Sequence, residues 1–229
     1  MFSLLAALAI VGCRQADARP VPAPFGAAAL VETIQQGKAA ATPKAVPDPR
    51  LTRADLARID GKPGAKLWIL VISDFQCPFC KEFHDKTASK LHKEFVETGV
   101  ARMAYINYPL KIHRNAVPAS EAAMCAGAQD KFWPFHDKLF ATVGTWGSAA
   151  NPTATYLGIA GELKLNLEIF RKCLADDVML PMIDADYKRG TQAGATSTPT
   201  FLIGKIVIPG NAPIDVFRTA IKETLAGNM

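Results

Sequence analysis

The sequence predicts an α/β domain whose elements run β-α-β, then a helical block, then β-β-α. Three observations carry this reading. Residues 66–73, Lys-Leu-Trp-Ile-Leu-Val-Ile-Ser, form a nearly unbroken apolar run of strand length, the pattern of a strand buried on both faces. Phe79, Phe83, Leu91 and Phe95 then recur at multiples of four up to Gly99, which marks an amphipathic helix and its stop. Residues 102–108 read as the next strand, so strand, helix and strand make a βαβ unit. Near the C-terminus, residues 199–203 and 205–208 flank Gly204 as a hairpin. Residues 215–225 follow as a helix, with Val216, Ile221 and Leu225 expected to face inward. Between the two halves lies helical sequence: Ala-rich residues 116–127, an aromatic segment 132–140, and residues 167–174 and 181–193. Residues 144–152 read as loop.

The chain has 229 residues, 49% of them apolar and 21% charged, enough to bury a sizeable core. A net charge of +5 without long Lys/Arg runs argues against a nucleic-acid partner. No Gly-rich phosphate loop appears, so no nucleotide cofactor is expected.

Residues 1–12 are uncharged, almost wholly apolar and too short to span a bilayer, which takes about 20 residues. They have the length of a signal-peptide apolar region. Ile10-Val11-Gly12-Cys13 resembles a bacterial lipobox, which implies lipidation of Cys13 and an extracytoplasmic, membrane-anchored protein. Residues 13–50 carry Pro20, Pro22, Pro24, Pro43, Pro47 and Pro49, and read as an extended tether before an ordered body over 51–229. Five cysteines are present, and setting Cys13 aside leaves an even number that can pair.

The chemistry concentrates at Cys77-Pro78-Phe79-Cys80. Cysteines three apart on the first turn of a helix have neighbouring side chains, close enough for a disulfide. The leading thiol meets free amides and the helix macrodipole, which favour a thiolate, the species that attacks disulfides. Pro78 suits the helix start, where a missing N–H costs nothing. Cys80, one turn further in, reads as the more buried resolving thiol, and Phe79 brings the thiolate neither charge nor hydrogen bond. Two alternatives stay open: an inert structural disulfide, or half a zinc site to which His84 could add a ligand. A structural zinc site wants a second cysteine pair, and Cys125 and Cys173 stand alone.

The run Ser73-Asp74-Phe75-Gln76-Cys77-Pro78-Phe79-Cys80 resembles the DsbA-like group of thioredoxin-fold proteins. So do Pro109-Leu110-Lys111-Ile112-His113 with Ala116, the segment from Cys125 to Trp133 with His136-Asp137, and residues 198–203. The resemblance extends from Lys66 to the C-terminus. It implies a thioredoxin core with a helical insertion at about 114–195, Cys77 as nucleophile, Cys80 as resolving thiol, and Pro199 as a cis-proline facing them. Thr198 is then the residue whose backbone pairs with substrate. It implies dithiol–disulfide exchange on exported proteins, with a membrane redox partner, either a quinone-linked reoxidant or a reductant. It also implies a structural Cys125–Cys173 disulfide; two buried free thiols or a second redox pair are the alternatives. One departure is Val71, where many members carry an acidic residue six before the first cysteine.

The expected activity is therefore oxidative disulfide formation. A reductase or isomerase on the same fold, or a binding module with a structural CxxC disulfide, would share these features. His113 and His136 read as packing and helix-end hydrogen-bonding residues, and His92 as a solvated helix position. Trp133, Phe135 and Phe140 read as insertion core. Phe75, Trp146 and the Pro109-Leu110 corner are expected to rim a groove beside the cysteines.

Overall fold

A computed structural model describes residues 48–227. The signal-peptide and lipobox expectations, Cys13 and nearly all of the tether lie outside these residues. The tether's expected end does not hold. Asp48 caps helix α1 (Pro49–Ala57) by accepting the Arg50 amide, and Pro49 takes the first helical turn, where proline is well tolerated. Leu51 packs against the core rather than trailing from it.

The sheet holds β1 (Ile59–Asp60), β2 (Leu67–Ser73), β3 (Ala101–Asn107), β4 (Thr200–Ile203) and β5 (Ile206–Pro209) in the order β1-β3-β2-β4-β5. Only β2 and β3 run parallel, which requires a crossover. The crossover is helix α2, residues 78–96, an α-helical start (Pro78–Phe83) continuing through two wide π turns (His84–Ala88 and His92–Val96). Every residue of β2 is buried. Leu67, Ile69 and Val71 face Phe83, Leu91, Phe201 and Phe217. Trp68, Leu70 and Ile72 face Tyr108, Ala193 and Ala195 on the other side. Covering both faces is what allows the run to be apolar at every position.

Helix α9 (Ile214–Leu225) closes the chain, but on a different face from the one expected. Phe217, Ala220 and Ile221 are its buried residues, whereas Val216 and Leu225 are exposed. The aromatic at 217 sets the inward stripe, because Phe217 contacts both Phe83 and Phe201.

Between β3 and β4 lie α3 (Ala116–Gly127), α4 (Phe132–Ala141), α5 (Val143–Trp146), α6 (Thr153–Glu162), α7 (Leu167–Ala175) and α8 (Leu180–Gln192). Residues 144–152, read as loop, thus open inside the short helix α5. Trp146, expected at a groove rim, is fully buried there and donates its indole N–H to Leu139 O at 2.9 Å. Phe75 is likewise core, stacked on Tyr105 at 4.9 Å. Phe135 and Phe140 are buried and Trp133 packs against the same cluster. Cys125 on α3 and Cys173 on α7 are joined in a disulfide within this core, their Cα atoms 5.9 Å apart.

One buried ion pair fastens the sheet to this helical block. Arg58, wholly buried after α1, pairs with Asp186 of α8 and with Asp55. It also donates to Tyr105 O at 3.1 Å. Asp186 further accepts from the backbone and side-chain amides of Asn107 at 3.1 and 2.9 Å. Such satisfaction is what a buried charge requires.

Candidate active site

Cys77 sits between the end of β2 and the start of α2. It is the N-cap of α2, with an extended backbone (φ −73°, ψ 125°), and its amide donates to Asp74 O at 3.1 Å. Pro78 follows as the first helical residue. Phe79, which the periodicity placed on the inner stripe, points outward at 59% exposure, while Cys80 turns into the core at 1%. Both cysteines are present as thiols. From the opposite side, the Thr198 carbonyl accepts from Cys77 Sγ at 3.4 Å. The Thr198–Pro199 peptide is cis.

This geometry separates two thiols only three residues apart. Hydrogen bonding from Cys80 chiefly, then contact with Thr198 and the Cys80 and Phe79 amides, outweighs burial and lowers the Cys77 thiol from 9.0 to about 6. Burial first, then the neighbouring Cys77, pushes the Cys80 thiol well up, against a smaller opposing pull from Ser73. The free amides of a helix start thus serve one sulfur, and the apolar interior acts on the other. Val71 cannot carry a proton for Cys80. It lies between Tyr105 of β3 and Phe201 of β4 and packs among apolar side chains. The polar groups acting on Cys80 are instead the Ser73 hydroxyl and the Asp74 backbone.

The loops around the pair are held by side chains whose importance the sequence did not signal. Asp74 is fully buried, and its carboxylate accepts from the Gln76 amide (2.7 Å), the Leu110 amide (2.8 Å) and His113 Nδ1 (2.7 Å). Gln76 in turn donates to Gly147 O at 2.9 Å and accepts from the Asn115 amide at 2.8 Å. Asn115 Nδ2 lies within hydrogen-bonding range of three carbonyls, those of Trp146, Gly147 and Ala149. The loop after β3 is therefore pinned beside the cysteines and presents Ile112 to solvent at 83% exposure.

A family model described as thioredoxin matches residues 54–223. The chain belongs to the thioredoxin family. The disulfide bond formation protein D of Bacillus subtilis is 26% identical over 73% of this chain and 76% of its own length. A Na(+)/H(+) antiporter NhaA 1 of Salinispora arenicola is 30% identical over 76% of this chain, but the match spans only 25% of that protein. The crystal structure of Chlamydia trachomatis DsbA superposes with a TM-score of 0.68 at 21% identity, covering 81% of this chain and 98% of that one. This member of the family is DsbA-like, and it is a protein thiol–disulfide oxidoreductase.

The remaining sequence candidates separate cleanly. His84 does not turn toward the cysteines to complete a zinc set; it meets Asp85 and Asp137. His92 is no lone solvated group, since it pairs with Asp60 at 2.7 Å and Glu97 at 3.1 Å. Cys125 and Cys173 are occupied by each other. Among the described residues, no helix is long and apolar enough to cross a membrane.

Proposed function

We propose that this DsbA-like oxidoreductase forms disulfides in exported proteins, with Cys77 as the exchanging thiol and Cys80 as its internal partner. A substrate thiolate attacks the Cys77–Cys80 disulfide at Cys77 and releases Cys80 as a thiolate, which takes a proton from solvent. The substrate's second thiolate then attacks its own sulfur in the mixed disulfide and releases Cys77 as a thiolate. The substrate leaves oxidised and the enzyme is left as the dithiol, two electrons richer, for a membrane redox partner to reoxidise. The observation that carries this direction is the lowered Cys77 thiol, because stabilising the reduced form makes the disulfide the stronger oxidant. The Thr198 carbonyl, against Cys77 Sγ, is placed to meet a substrate strand, with Pro199 following it. Phe79 and Ile112 are exposed apolar side chains beside the pair and on the loop after β3.

The test is the equilibrium potential of the Cys77–Cys80 pair against glutathione in the full chain. The oxidase reading expects a value toward about −120 mV; one near or below about −270 mV overturns it in favour of a reductase. Cys80→Ser is expected to accumulate a mixed disulfide through Cys77 on a model disulfide substrate, whose bond the Cys77 thiolate breaks and whose other sulfur leaves as a thiolate, and its absence would reduce the pair to a structural staple. The lipobox-like Ile10-Val11-Gly12-Cys13 supports an extracytoplasmic location and a lipid anchor on Cys13. Cys13→Ala is then expected to move the protein from the membrane fraction to the soluble one.

A further inference from the structure

Beyond the cysteines, one cluster of side chains brings metal-type donors together across two parts of the fold. His84 lies on α2, and its amide donates to Cys80 O. His136 and Asp137 lie on α4, in the helical block. His84 Nε2 is 3.2 Å from Asp137 Oδ1, and His136 Nδ1 is 2.8 Å from the same oxygen. One donor atom from each of the three residues lies within 4.8 Å of the others. A carboxylate beside its own sequence neighbour is ordinary. A second imidazole, from 53 residues away, aimed at the same oxygen is not explained by local sequence.

We propose that His84, His136 and Asp137 form a site for a zinc-type divalent cation that clamps the CxxC helix to the helical block. Two imidazole nitrogens and one carboxylate are the donor set of borderline cations such as Zn²⁺, whereas Mg²⁺ and Ca²⁺ prefer all-oxygen shells. Tetrahedral Zn²⁺ with bonds of about 2.0–2.1 Å needs donors about 3.3 Å apart; the two nitrogen–oxygen spacings, 3.2 and 2.8 Å, lie close to this, and all three donors fall within 4.8 Å of one another. The rings are held for this. His136 is buried against Phe75, Tyr105 and Phe140, and His84 stacks on Phe140 at 5.1 Å. Asp85 lies 3.1 Å from His84 Nδ1, the outer-shell carboxylate that orients a ligating imidazole. Asp137 is largely exposed, so the cation has an open path and room for water as a fourth ligand. The site uses neither cysteine, which separates it from the half-zinc reading of the CxxC.

The experiment is Zn²⁺ titration by calorimetry into the full chain, with the Cys77–Cys80 pair oxidised and Cys13 alkylated, so that no thiol can bind metal. One equivalent is expected to bind, Mg²⁺ not to compete, and Co²⁺ to give the strong visible absorption of a tetrahedral centre. His84→Ala and Asp137→Asn are each expected to weaken binding at least tenfold. They are also expected to abolish the Zn²⁺-induced rise in melting temperature, with the metal-free circular dichroism unchanged. These positions are at least partly exposed, which spares the fold. Absence of saturable binding, or binding undiminished in both variants, overturns the proposal.

Discussion

The molecule holds two cysteine pairs in two settings, one at the start of helix α2 and one between helices of the helical block. Cys77 and Cys80 are three residues apart at a helix start, and their environments push the two thiols in opposite directions. Cys125 and Cys173 are separated by 48 positions and sit on two packed helices, both sulfurs in apolar surroundings. All four cysteines are buried, so burial does not distinguish them. The difference lies in what else touches the sulfur. Amides, a carbonyl and a hydroxyl surround the first pair, and hydrocarbon the second. Reactivity is thus a property of the polar lining rather than of access.

The sharpest way to break this comparison is to delete one sulfur from each pair. Cys77→Ser is expected to abolish dithiol oxidation in a stopped assay with a model peptide, while Cys125→Ala with Cys173→Ala retains it. Loss of activity in the second variant at a temperature where it remains folded would make the helical pair part of the chemistry. Next in size comes the ion pair between the two regions. Arg58→Met takes from Asp186 its buried partner and leaves it Arg189 at 3.3 Å and the Asn107 amides, and urea denaturation should show a loss of about 3 kcal/mol. Adding Asp186→Leu should restore part of it, since an apolar pair leaves no stranded charge.

Removing the Cys125–Cys173 bridge should cost about 2–4 kcal/mol, mostly through a less restricted unfolded chain. It should leave the Cys77 titration, followed by thiolate absorbance, near pH 6. Because that thiol is lowered in the fold, ionised Cys77 stabilises the reduced protein fully above pH 9. This contribution shrinks as pH falls and is gone below about pH 6. The smallest effect belongs to Glu121 on α3 of the helical block, where burial and then Asp177 raise the carboxyl to about 7 from 4.5. A raised acid has the opposite sign: its contribution is full below pH 4.5 and lost as pH rises through 7. Glu121→Gln should therefore raise stability by about 1 kcal/mol at pH 8 and change little at pH 4.

What the residues disclosed divides along the same line. The strand at 67–73 was legible because burial on both faces leaves an apolar run, and the hairpin because Gly204 punctuates it at φ 60°. Helix α6 was not, since Thr153–Glu162 carries two glycines and only a weak apolar stripe. Helix α1 hid in a proline-rich stretch, although Asp48-Pro49 is a helix-opening signal. At the site, Cys77 and Cys80 announced themselves by spacing. Asp74, Gln76 and Asn115 did not, because a hydrogen-bond hub joins residues up to 71 positions apart and leaves no local pattern. Trp146 and Phe75 misled for a related reason: an aromatic beside a motif reads equally as rim or as core until its neighbours are known.

In the proposed mechanism, the opposite shifts of the two thiols also set a clock. Once a client protein is joined to Cys77, two thiols compete to break the bond: the client's own second cysteine, and Cys80. Cys80 is held protonated by burial, so it is slow off the mark at neutral pH. The Cys77 sulfur, whose thiolate is the better stabilised, is the readier leaving group when the client attacks. The race is therefore tilted toward clients that already have a partner cysteine close by. A client without one stays tethered until Cys80 rescues the enzyme, so proofreading of a sort is written into the depth of a single sulfur.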